Sequence, residues 1–193
     1  MSDPSRFLDL LTRLRTGDDR AASDLFAEYE PAIRRMIRTR LRNLSLQRVV
    51  GEEDVCQSVM KSFFLRYRLG EYDLESPEQL RGLLARMAGN KLNDQHRRHL
   101  AARRDIGRAG EPLPDNVLPD AGETPSLKLG NQELLEEAVR RMTPEERAIR
   151  ELFLEQGLCW AAIAAKLGGT AEGRRKQWER ARDRITQELG LEA

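Results

Sequence analysis

The break Gly168-Gly169-Thr170 constrains this chain more than any other stretch. Before it, Trp160, Ile163, Ala164 and Leu167 recur at helical spacing; after it, Trp178, Ala181 and Ile185 do the same within a segment crowded with Arg and Lys. Three- and four-residue spacing gathers each set on one helix face. Two helices crossing over so short a glycine turn form a helix-turn-helix, whose second helix can enter a major groove. Thr170 suits the cap of that helix, and Glu172 falls in its first turn, where the dipole favours an anion. Arg175, Lys176, Gln177 and Arg180 are left facing outward, with chemistry that fits guanine edges, phosphates and adenine. Taken alone, the segment also fits a solvated amphipathic helix.

Composition points the same way. Aromatic residues make up only 5% of the 193 residues and charged ones 34%. Cores must then rest on Leu, Ile, Val, Ala and Met, which favours helices over strands. This length holds one domain or two small ones. A net charge of +1 means that any basic surface has to be local. Cys56 and Cys159 read as reduced, buried thiols rather than a disulfide framework. No apolar run approaches the roughly 18 residues of a membrane span, and the N-terminus lacks a signal-peptide layout. The chain therefore reads as cytoplasmic, with no membrane insertion.

In chain order, Ser5–Arg15 predicts a helix with Phe7, Leu8, Leu11 and Leu14 on one side, stopped at Gly17. Asp18 or Asp19 caps a longer stretch carrying Ala22, Leu25, Phe26, Tyr29, Ile33, Met36, Ile37, Leu41 and Leu44. Pro31 predicts a kink there or two abutting helices. Arg34, Arg35, Arg38, Arg40 and Arg42 are most simply a solvated stripe, with a nucleic-acid or polymerase contact as the alternative. After Gly51, Glu52-Glu53-Asp54 opens a helix with Val55, Cys56, Val59, Met60, Phe63 and Phe64 inward, leaving Asp54, Gln57, Ser58 and Lys61 on a polar face. Ser76-Pro77-Glu78-Gln79 is a capping box with Pro at the first helical position. It opens a helix with Leu80, Leu83, Leu84, Met87, Ala88 and Leu92 inward. From Arg81 to Arg108 there are eight Arg or Lys against two Asp, a first basic surface.

Residues 107–130 turn to Gly, Pro, Asp and Glu and read as a flexible linker. Helical patterning resumes with Leu134, Leu135, Ala138, Val139 and Met142. A second capping box, Thr143-Pro144-Glu145-Glu146, opens a helix carrying Ile149, Leu152 and Phe153 that ends at Gly157. The fold class is therefore all-α, with two small helical domains, 1–106 and 131–193, joined by that linker, the second carrying the helix-turn-helix. His96 and His99 lack a third ligand nearby and read as surface. Neither a nucleophile-base pair nor a glycine-rich phosphate loop is present, so no catalytic residue, metal or cofactor is assigned and an enzyme is not expected.

In that order, with these residues, nearly the whole sequence resembles the extracytoplasmic-function sigma factors, two-domain promoter-specificity subunits of bacterial RNA polymerase. Glu53-Asp54 followed by Gln57 is similar to the family's polymerase-docking signature, which implies Asp54, Gln57, Ser58 and Lys61 as the face for core RNA polymerase. Leu84, Ala88, Asn90, Asp94 and Arg97-Arg98 are similar to the helix that engages the minus-ten element. The resemblance implies Asn90, Lys91, Asp94, Arg97 and Arg98 as contacts to promoter DNA there. Leu135 to Thr143, Gly157, Trp160, Ile163-Ala164, Leu167-Gly168 and Arg180-Ala181-Arg182 are similar to the domain reading the minus-thirty-five element. That assigns the upstream contacts to Thr170, Arg174, Arg175, Lys176, Gln177 and Arg180. An anti-sigma protein is a further partner such relatives have.

The chain departs from the family pattern at Ala162, where an acidic residue is usual, and at Leu83, where many relatives carry Trp. Gly173 and Arg174 stand where Thr or Ala and an aliphatic residue are usual, which predicts a weakened helix start and a lost apolar anchor. Two other classes fit parts of the sequence. One is a helix-turn-helix transcriptional regulator that is not a polymerase subunit, and the other a partner-binding helical bundle.

Overall fold

A computed structural model describes residues 4–43, 50–109 and 130–191. Helix α1, Pro4–Thr16, ends at Gly17, whose φ of 95° turns the chain. Asp18 then caps α2, Asp19–Asn43, its carboxylate accepting from the backbone N–H of Arg20 at 2.9 Å and Ala21 at 3.3 Å. Helix α2 runs unbroken through Pro31, so the expected division into two abutting helices is not observed. Pro31 lies on the exposed side, while Tyr29, Ile33 and Ile37 bury the other and hold the helix to its neighbours.

Helix α3, Glu52–Arg68, starts with three acidic residues. Helix α4, Pro77–Ala109, follows the expected cap: Ser76 Oγ accepts from Gln79 N at 3.2 Å, and the Gln79 side chain accepts from Glu75 N at 2.8 Å. It continues three residues past the boundary at 106 read from the sequence. These four helices share one core, including Leu11, Leu25, Ile37, Phe63, Leu84 and Leu92. Leu8 does not join it: at 47% exposure it faces outward and Leu10 is buried in its place. Leu44 and most of the linker lie outside the described residues.

Beyond residue 129 the chain forms α5, Asn131–Arg140, and α6, Pro144–Arg150, which runs on as a π-turn to Glu155. The capping box at α6 closes in both directions, Glu146 N to Thr143 Oγ1 at 3.3 Å and Thr143 N to the Glu146 carboxylate at 2.8 Å. Helices α7, Trp160–Leu167, and α8, Ala171–Glu188, complete the described chain. Their core gathers Leu134, Ala138, Ile149, Ile163, Trp178, Ala181 and Ile185, together with Leu65 of α3 and Leu69, which caps its C-terminal end. Helix α3 thus lies between two cores and buries eleven residues. Cys56 is buried as expected, but Cys159 is exposed, because it occupies the N-cap position of α7 rather than its apolar face.

Candidate nucleic-acid interface

Gly168 and Gly169 both adopt positive φ, 79° and 82°, which ends α7 and redirects the chain within three residues. Thr170 Oγ1 then accepts from Gly173 N at 3.0 Å to start α8. A Cβ at position 173 would sit 3.0 Å from that same oxygen, so glycine here leaves the cap undisturbed.

Arg174 folds back under the turn rather than out from α8. Its guanidinium donates to the Leu167 carbonyl at 2.6 Å, the Gly168 carbonyl at 3.0 Å and Gln177 Oε1 at 2.7 Å, and its side chain is only 13% exposed. Terminal carbonyls of α7 thereby gain partners that the helix cannot supply. Where an aliphatic residue was expected to anchor α8, a cation bonds the end of α7 to it. Glu145, from the first turn of α6, reaches both Arg174 Nη1 at 3.3 Å and Gln177 Nε2 at 2.8 Å. Both ends of the Gln177 amide are therefore engaged within the protein. These hydrogen bonds and Arg174 hold the Glu145 carboxyl below its ordinary range.

Arg175 and Lys176 stand on the outer side of α8 in a ladder of carboxylates. Arg175 forks onto Glu172 at 2.7 and 2.9 Å and also pairs with Glu179, and Lys176 reaches Glu172 at 3.3 Å. The Arg175 hydrogen bond holds the Glu172 carboxyl down to about 2, with Lys176 adding to it. Arg180 is exposed with no ion pair recorded among the described residues. Trp178 and Ala181 pack inward between these positions.

The second basic surface lies on α4. Asn90, Arg97 and Arg98 are exposed, Lys91 and Asp94 half-buried, and Asp94 pairs with Arg97. Arg40 of α2 joins them, donating to Asn93 Oδ1 at 3.3 Å and passing 3.7 Å from the place of a Cβ on Gly89. Sequence spacing places Arg40 most simply in a solvated stripe and does not join it to α4, because 53 positions separate it from Asn93 and nothing local links the two.

On α3, Asp54 is exposed and Gln57 and Lys61 are half-buried, but Ser58 is 6% exposed. The polar face expected across all four is thus narrower, since α3 has neighbours on several sides. Gln57 and Lys61 line a groove of about 290 Å³ with Ala22, Ser23, Phe26, Met60 and Phe64. Burial lowers the Lys61 pKa. No cluster of three or more potential metal ligands occurs among the described residues.

A sequence model of the ECF sigma factor family matches residues 4–190, both cores and both basic helices. The chain belongs to the ECF sigma factor family. It is a DNA-binding sigma subunit of RNA polymerase acting in transcription initiation, with core polymerase and promoter DNA as partners. No curated protein and no solved structure matches the chain. Among the described residues, no helix of this sigma factor is long and apolar enough to cross a membrane.

Proposed function

We propose that this sigma factor grips a promoter at two points, with α8 in the upstream major groove and the middle of α4 on the minus-ten element. The observation that carries this reading is that two helices seated on different cores each carry a run of cations, eight Arg or Lys along α4 and six along α8. Helix α7 with the turn and α8 then acts as a helix-turn-helix, its half-buried Arg175 and exposed Lys176 and Arg180 meeting phosphates and base edges, with Thr170 at the entering end. Arg174 and Gln177 support this from below, by fixing how α8 leaves the turn. On α4, Asn90 and Asp94 offer hydrogen bonds to unstacked bases, while Lys91, Arg97 and Arg98 neutralise the strand. Extruding a base costs a few kcal/mol, which such contacts offset.

The groove lined by Gln57 and Lys61, together with exposed Asp54 one helical turn before Gln57 on α3, is the proposed docking face for core polymerase. An apolar floor of Phe26, Met60 and Phe64 under polar groups suits a protein partner. Run-off transcription with core polymerase and a promoter library tests the whole reading. Asp54→Ala with Gln57→Ala should abolish co-purification with core. A wild-type chain that binds upstream DNA but never core polymerase would instead be a regulator of the helix-turn-helix kind. An anti-sigma protein covering both DNA-reading surfaces is the further partner proposed.

A further inference from the structure

Gln177 is the amide of α8 nearest the turn, and its chemistry is that of an adenine reader. An amide reads adenine with both ends at once, its oxygen accepting from N6 and its nitrogen donating to N7. In this structure both ends are already taken. Gln177 Oε1 accepts from Arg174 Nη1 at 2.7 Å, and Gln177 Nε2 donates to Glu145 Oε2 at 2.8 Å. The same Glu145 oxygen accepts from Arg174 Nη1 at 3.3 Å, so the three side chains close a ring. Chemistry fixes its direction, since only the amide oxygen can accept from a guanidinium and only the amide nitrogen can donate to a carboxylate.

The place of Gln177 on the helix gives the ring its consequence. At about 100° per residue, Gln177 stands about 60° round α8 from Arg180 and about 100° from Lys176, both of them exposed. It flanks the ridge that those cations present, and only a turn of its amide separates it from that ridge. What opposes the turn is the exchange of partners. Each bond of the ring has a charged member, and such bonds are roughly twice as strong as the neutral ones that adenine would offer. Arg174 is only 13% exposed and keeps most of that strength, whereas Glu145, at 66%, is the end that water weakens. Loss of Glu145 would leave the amide nitrogen without its partner. Arg174 would still hold the two carbonyls at the end of α7, so the turn itself would stand.

We infer that Glu145 sets which bases α8 reads, by holding the Gln177 amide inside the protein; this rests on the reading that puts α8 in the upstream major groove. Glu145 is a positioning residue, supplied by α6, and acts only through Gln177. The wild-type chain then selects upstream sequences through Lys176 and Arg180, whose chemistry favours guanine, and Gln177 adds no preference for adenine. A carboxylate outside the helix-turn-helix thus narrows what the recognition helix can read.

Run-off transcription by the full chain with core polymerase, on a promoter library randomised across the upstream element, tests this. Four proteins are compared: wild type, Glu145→Ala, Gln177→Ala and the double variant. Glu145 is exposed and the cap of α6 is closed by Glu146, so Glu145→Ala leaves the fold in place. Glu145→Ala should gain a roughly tenfold preference for adenine at one upstream position, and the double variant should lose it again. Gln177→Ala alone should shift all upstream sequences alike and keep the wild-type ranking of bases. A merely structural Glu145 would also act on all sequences alike, so a Glu145→Ala protein with the wild-type ranking overturns the inference. So does a Gln177→Ala protein that loses an adenine preference the wild type had, because the amide would then already be reading. An upstream element that matters to none of the four proteins removes α8 from the groove, and the role of Glu145 falls with it.

Discussion

The guanidinium of Arg174 donates to the Leu167 carbonyl at 2.6 Å, tying the last turn of α7 to the first turn of α8 across the glycine break. One side chain thus meets two carbonyls, an amide and a carboxylate that fix the turn. Replacing it with leucine restores an aliphatic residue but leaves those carbonyls without partners. Neutral hydrogen bonds contribute about 1 kcal/mol each, and ones to a charged group somewhat more. Arg174→Leu should therefore lower the melting temperature by several degrees, at about 2–4 °C per kcal/mol for a chain of this size. Arg174→Lys should not restore it, since one ammonium cannot spread over the same acceptors. Circular dichroism melts check both; a variant that melts like wild type yet loses DNA affinity would make Arg174 a direct contact.

Thr170 and Gly173 should behave as one unit. Thr170→Ala removes the cap and should cost about 1 kcal/mol. Gly173→Ala gains about 1 kcal/mol of helix propensity, but its methyl presses on Thr170 Oγ1 at 3.0 Å. In the wild type these effects should nearly cancel, whereas in Thr170→Ala the same change should stabilise. A double-mutant cycle measured by thermal melts reads the difference directly.

These neighbours also mark how far the sequence reaches. The helical stripes place Leu25, Ile37, Phe63, Leu84, Leu92, Trp178 and Ile185 inside because each repeats along one element, and one element's periodicity is local information. Leu65 and Leu69 escape such an argument: on a helix buried on several sides, spacing does not say which core receives a residue. Leu8 is misplaced although the spacing is local: Phe7, Leu10, Leu11 and Leu14 make the i, i+3, i+4, i+7 stripe, and Leu8 stands about 100° round the helix from Phe7. At the upstream surface the residue types are legible, but not that Arg174 and Gln177 are held from below by Glu145, a partner supplied by another helix. Arg40 beside Asn93 is a tertiary neighbour of the same sort.

Glu172 pairs with Arg175 and Lys176, two of the cations that the proposed reading gives to upstream DNA. Glu172→Gln should release Lys176 and loosen Arg175, strengthening binding to an upstream duplex at low salt. Each added phosphate contact steepens the salt dependence by about 0.9 in log–log slope, so a change of up to about 2 is expected in fluorescence anisotropy titrations. Loss of affinity confined to particular base substitutions would show instead that Glu172 reads cytosine itself. Acid gives a matching result. The folded-state pKa of Glu172 is depressed from 4.5 to about 2, so its pairs support α8 fully above pH 4.5 and are lost as pH falls toward 2. Helicity of the C-terminal unit in Glu172→Gln should be correspondingly less sensitive to pH across that window.

Arg40 offers the sharpest test of the proposed minus-ten surface, because only the packing of α2 against α4 places it beside Asn93. Its guanidinium is exposed and holds Asn93 by one 3.3 Å hydrogen bond, so its removal should barely alter stability. Arg40→Ala should weaken binding of a single-stranded minus-ten oligonucleotide to the sigma–polymerase complex. If Arg40 meets one phosphate, the salt slope should flatten by about 0.7, the increment for single strands. Upstream duplex binding should be unchanged, since α8 belongs to the other core. Arg40→Lys should recover the charge and most of the affinity. An Arg40→Ala variant that opens promoters and binds the oligonucleotide as wild type does would return this residue to the solvated stripe.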